Sequence, residues 1–203
     1  MRVFCLEKQK KGDFLMKITT RQLVESAIMI AIGTILSMIT IASPWKLGGG
    51  ITVCSMLPLV ILAFRHGTKV GVFASSVYGL IQMIIGFSNV QYATNFLMAM
   101  GIVLFDYIVA FGVVGFSAVF KKAFKNLLSA IVVGVVFTFT LRLACHFVTG
   151  VWIWEALWPN ELGWAAPIWS IAYNASYMIP EIVLTCIVII ASYKPLRKFW
   201  EKV

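Results

Sequence analysis

Charge is what this sequence has least of. Asp, Glu, Lys and Arg make up 12% of its 203 residues, while 61% are hydrophobic; soluble domains carry about 25% and about 45–50%. That balance excludes an ordinary soluble domain and points to an integral membrane protein. Acids are the scarcest, eight against 17 basic residues, for a net charge of +9. The excess does not imply nucleic acid, because the basic residues stand at the ends of apolar runs. The four cysteines, Cys5, Cys54, Cys145 and Cys186, form no C-x-x-C pair, which argues against a zinc site or a disulfide framework. No G-x-x-x-x-G-K-[ST] loop occurs, so uphill transport by this chain would draw on an ion gradient or a partner. Met1 to Lys17 is too polar for the signal-peptide core of about 7–15 apolar residues; Met16 stands there as an alternative start.

What the chain has instead is apolar runs along almost its whole length. A hydrocarbon core about 30 Å thick needs about 20 helical residues, fewer where a segment is short or re-entrant. This ruler predicts six spans, at roughly 20–43, 51–64, 70–87, 97–120, 127–149 and 167–192. The expected fold is therefore an all-α membrane protein, a compact bundle of six transmembrane helices in the lipid bilayer. A basic segment, 1–19, precedes the membrane domain, 20–192, and a basic tail, 193–203, follows it. Lys8, Lys10, Lys11, Lys17 and Arg21 precede the first span, Arg65 and Lys69 follow the second, Lys121, Lys122 and Lys125 the fourth, and Lys194, Arg197, Lys198 and Lys202 the last. All these clusters fall on one face, which places both termini in the cytoplasm. The opposite face carries Trp45 in "SPWKLGGG", the "GFSNVQYATN" loop, and a tryptophan-rich loop with Glu155 and Glu161.

An ionisable group within a span is a functional candidate, since it costs at least about 2.5–3.5 kcal/mol near the centre. Asp106 in "VLFDYIVAF" is the acid deepest in an apolar run. Either it pairs with Arg142 and pins two helices, or it stays available to a cationic or amino-bearing ligand. Arg142 and His146 in "TLRLACHF" are four apart, hence on one helix face. His146 is either a packing histidine or a ligand contact; no second His or Cys stands at metal-ligand spacing beside it. Glu181 follows Pro180 in the last span, and Glu25 sits near enough to the cytoplasmic edge to be solvated. In the first span, Ala27 and Ala31 form a small-xxx-small surface, for a partner helix or for packing within the bundle. Ser170, Ser176 and His146 show no nucleophile-and-base spacing, so neither an enzyme nor a cofactor is expected.

Five of the seven tryptophans lie between His146 and Trp169. Indole rings favour membrane interfaces, yet a belt spreads over both faces, and this cluster occupies one loop on one face. The asymmetry favours a pocket of aromatic walls. With a carboxylate nearby, such walls attract a flat cation, each contact contributing about 0.5–2 kcal/mol. Tyr173 and Asn174 in "WSIAYNASYMIPE" would add hydrogen bonds to a heteroaromatic edge.

The segments "GGGITVCSMLPLVILAFRHGTKVGVFASSVYGLIQ" and "FDYIVAFGVVG", with "HFVTGVWIW" and "YNASYMIPE" in collinear order, resemble the thiamine-specific substrate-binding (S) component of energy-coupling factor (ECF) transporters, the ThiT or YuaJ-like family. The likeness covers about Leu23 to Tyr193. It implies a six-helix subunit that captures thiamine from outside, between the outer ends of spans four to six. By motif position it implies Asp106 as the pyrimidine-contacting carboxylate, followed by Tyr107, with His146, Trp154 and Asn174 as further contacts. Trp169 stands where a family tyrosine is expected, and Trp45 and Tyr78 look like further aromatic walls. It also implies that Ala27 and Ala31 contact a shared transmembrane coupling subunit driven by two ATPase subunits. Capture of another flat vitamin or precursor, such as riboflavin or hydroxymethylpyrimidine, and a purely structural membrane role are the competing readings.

Overall fold

The computed structural model describes residues 18–42, 49–160 and 162–200. Seven helical segments run in order: α1 (Thr20–Ser37), α2 (Leu57–His66), α3 (Thr68–Ile85), α4 (Phe87–Gln91), α5 (Phe96–Lys122), α6 (Leu127–Leu157) and α7 (Ala166–Trp200). Strands β1 (Thr40–Ala42) and β2 (Gly50–Thr52) pair antiparallel, Ile41 opposite Ile51. Helices α3, α5, α6 and α7 are long and apolar enough to cross a membrane. Large apolar side chains such as Phe96, Leu97, Ile84 and Ile187 stay exposed on their outer faces, as a helix bundle solvated by lipid tails requires.

Local sequence explains the boundaries. Thr19 caps α1, its hydroxyl accepting from the Gln22 N–H while the Gln22 side chain accepts from the Thr19 N–H, a reciprocal box that satisfies two orphan donors. The first span is shorter than expected and ends at Ser37, because β1 and β2 take up residues assigned to spans one and two. Pro58 sits in the first turn of α2, where its missing N–H costs nothing. Gly67, at φ 93°, turns the chain straight from α2 into α3, a backbone region that glycine enters without steric cost. Helix α6 continues past residue 149 to Leu157, and α7 past residue 192 to Trp200, whose buried ring packs edge-on against Phe64 at 6.1 Å.

Small residues let the helices approach. A Cβ on Gly115 would strike the Val72 backbone, and one on Gly71 would lie 2.9 Å from the Gly115 carbonyl oxygen, so α3 and α5 touch backbone to backbone. Glu25 is not simply solvated. Its carboxylate accepts from Arg65 Nε at 2.6 Å, His66 Nε2 at 2.6 Å and Arg21 Nε at 2.9 Å, tying α1 to the end of α2. Ala27 and Ala31 are exposed beside Leu23, Val24, Ile28, Ile32 and Ile35. They form an outward apolar face of α1, while Gly33 makes the close inward contact with Ser55.

Candidate ligand-binding site

The inner surfaces of α3, α5, α6 and α7, with β2, enclose a cavity of about 470 Å³, within the 300–1,000 Å³ usual for small-ligand sites. Asp106 is 7% exposed on its wall. One carboxylate oxygen, Oδ1, accepts from His146 Nδ1 at 2.9 Å and from the Thr149 hydroxyl; Oδ2 accepts from Trp154 Nε1 at 2.9 Å. A carboxylate only accepts, so the imidazole proton facing it sits on Nδ1. His146 Nε2 is buried without a hydrogen-bond partner among the described residues. Three donors occupy three of about four acceptor positions on the carboxylate, leaving one on Oδ2.

Two departures from regular α-helix put these groups together. Ile102–Val109, which holds Asp106 and Tyr107, and Gly150–Trp154, which ends at Trp154, are π-helical. Such wider turns recur at functional sites because they shift side chains out of the α register. Tyr107 donates its hydroxyl to the Gly86 carbonyl at 3.1 Å and accepts from Asn89 Nδ2 at 3.0 Å. Asn174 lines the cavity, but its amide is engaged by the protein. Nδ2 donates to the Ser170 carbonyl at 2.8 Å and the His146 carbonyl at 3.3 Å, and Oδ1 accepts from Tyr177 at 2.6 Å. It holds α7 against α6.

The tryptophan cluster divides. Trp154 and Trp158, four apart, stack with centroids 5.6 Å apart and planes 5° from parallel, and Tyr92 meets Trp158 edge-on at 4.4 Å. Both rings line the cavity, as do Trp169, Tyr173 and Tyr78. Trp152 is 75% exposed and Trp164 45%, so these two face outward, as interfacial rings do. The cluster is therefore part wall and part outer surface, Trp152 and Trp154 parting on opposite sides of α6. Trp45 lies outside the described residues, and Ala27 and Ala31 are not among the residues around the cavity.

Arg142 does not pair with Asp106. Its guanidinium reaches Glu181 Oε2 at 3.1 Å and lies 4.7 Å from the centre of the Phe111 ring. Glu181, 2% exposed, also accepts from the Thr52 hydroxyl. Arg142 thus finds its counter-ion in Glu181, and the Asp106 carboxylate is left without a guanidinium partner. Residues that the sequence did not single out also line the cavity: Thr52, Ser55, Gln82, Asn89 and Thr149. Thr149 stands three residues after His146, a spacing that places neighbours on one helix face. The others come from β2, the turn after it, α3 and α4, which only folding brings in.

The sequence profile of the family described as thiamine transporter protein (Thia_YuaJ) matches residues 23–200. The chain belongs to this family. A curated Thia_YuaJ relative, the thiamine transporter ThiT of Bacillus subtilis (strain 168), is 30% identical over 179 residues, covering 83% of this chain and 88% of its own. The solved structure of ThiT from Listeria monocytogenes superposes with a TM-score of 0.71 at 25% identity, over 89% of this chain and 97% of that one. Membership in a transporter family, with several long apolar helices, makes this a multi-pass plasma-membrane protein. The Thia_YuaJ family is one of transporters, not enzymes.

Proposed function

We propose that the chain is the thiamine-binding S component of an ECF-type importer. It captures thiamine from the external side and passes it inward with a transmembrane coupling subunit and two ATPase subunits. The observation that carries this reading is Asp106, a buried carboxylate on the wall of an aromatic cavity, oriented by three donors and not neutralised by Arg142. Thiamine joins a permanently cationic thiazolium to an aminopyrimidine. Indole faces and a carboxylate suit the cation, and the open acceptor positions on Asp106 and His146 suit an amino group. The Bacillus subtilis relative, named as a thiamine transporter, supports the same ligand. The basic clusters favour cytoplasmic termini, which puts the Trp154 end of the cavity outside. The exposed Ala27 and Ala31 face of α1 supports docking of a coupling helix. A purely structural role loses its main support, since the Asp106–Arg142 pair on which it rested is not formed.

The test is intrinsic tryptophan fluorescence of the detergent-purified protein, titrated with thiamine and in parallel with riboflavin. Saturable quenching by thiamine alone, lost in Trp154→Ala, is the expected outcome. A folded protein that responds to neither ligand refutes the proposal.

A further inference from the structure

Glu155 lines the cavity directly beside the stacked Trp154 and Trp158 pair. Its two oxygens are unlike. Oε1 accepts from Asn160 Nδ2 at 3.1 Å and from the Asn160 N–H at 3.5 Å. Oε2 is buried and has no hydrogen-bond partner among the described residues. The carboxylate is held in place, because Asn160 is itself clasped to Trp164: Nδ2 donates to the Trp164 carbonyl at 2.8 Å, and Oδ1 accepts the Trp164 N–H at 2.9 Å. A buried acceptor without a donor carries an uncompensated desolvation cost, and a buried charge without a counter-charge carries more. Among the described residues the cavity wall holds two carboxylates, Asp106 and Glu155, against one guanidinium, Arg142, which Glu181 already neutralises. Of the two wall carboxylates, Asp106 already accepts from three donors and keeps a single acceptor position, whereas Glu155 has a whole oxygen to spare.

We infer that Glu155 is a second ligand-binding carboxylate, the counter-charge for a cationic ring held against Trp154 and Trp158. The inference rests on the proposed thiamine-type ligand and adds a specificity residue to it: Glu155 makes the site prefer a cation to a neutral ring of the same shape. An indole face attracts a cation by its quadrupole, and a carboxylate at the edge of the same stack adds a direct Coulomb attraction in a water-poor space.

The experiment compares thiamine with an analogue in which a neutral thiophene replaces the thiazolium, both titrated against the full-length protein in detergent. Wild type is expected to bind thiamine at least about tenfold more tightly than the analogue, and Glu155→Gln to weaken thiamine about tenfold while moving the analogue by about twofold or less. The Gln side chain keeps an acceptor for Asn160, so the loop stays held. Glu155→Asp, which retains the charge, and Asn160→Ala, which retains the carboxylate but releases its tether, are both expected to preserve the preference for the cation. If Glu155→Gln weakens both ligands equally, or neither, Glu155 is a loop tether and the inference is overturned. Wild type that binds no thiamine at all would instead overturn the underlying functional proposal.

Discussion

Asp106→Asn conserves the volume of a side chain at the centre of the site and removes only its charge. In the wild type three donors converge on two oxygens, His146 and Thr149 on Oδ1 and Trp154 on Oδ2. An asparagine oriented to keep the first two turns its NH2 group towards the indole N–H, setting donor against donor. Leaving one buried donor unmatched costs about 1–3 kcal/mol of stability. The loss in binding is larger. At an effective dielectric of about 20, a carboxylate and a cation about 5 Å apart attract by about 3 kcal/mol. Desolvation of the ligand offsets part of that, leaving an expected loss of about 100-fold in thiamine affinity, or about 2.7 kcal/mol. Titration calorimetry on the purified variant, with its Tm measured alongside, reads both quantities. A variant with a Kd within about threefold of wild type would show that Asp106 organises the helix junction without facing the ligand, and the electrostatic argument would be wrong.

The buried Arg142–Glu181 pair behaves differently, since it balances charge within the bundle. Glu181→Gln strands the guanidinium and is expected to destabilise the fold by about 3–5 kcal/mol, while Arg142→Met combined with Glu181→Leu regains most of that loss; thermal unfolding in detergent measures both, and a double variant no better than the single would contradict the assignment. On the outer face of α1, Ala27→Trp with Ala31→Trp projects two large rings from an exposed surface. Thiamine binding is expected to stay within about twofold of wild type while uptake in whole cells falls at least about tenfold, because a close helix contact there has no room for indoles. Unimpaired uptake would remove this face from the coupling surface.

Much of the molecule is legible in one dimension. Scarcity of charge, the length of the apolar runs and the placement of basic residues at their ends follow from the cost of putting charge in hydrocarbon, and that cost acts on each residue wherever the chain goes. Asp106, Tyr107, His146, Trp154, Trp169, Tyr173, Asn174 and Tyr78 were identifiable from composition, motif spacing and resemblance, and all line one cavity. Span ends were less legible. A strand pair stands between the first two helices, and π-helical turns shift Asp106 and Trp154 out of the register that a uniform helix predicts.

What the sequence by itself determined is the solvent of this protein and the inventory of its expensive groups: a lipid-embedded helical chain with a few buried ions and a crowd of indoles on one side. Only the tertiary structure decided which ion answers which. Arg142 and Asp106 share no sequence rule that forbids their pairing, yet α7 brings Glu181 to the arginine, and α6 brings His146, Thr149 and Trp154 to the aspartate. Electrostatic partnership depends on distances of a few ångströms between elements far apart in the chain, and those distances are set by backbone contacts such as that of Gly71 with Gly115. The same packing turned Trp154 and Trp158 inward and Trp152 outward, which makes a binding wall of one part of the tryptophan cluster and an outer surface of the other.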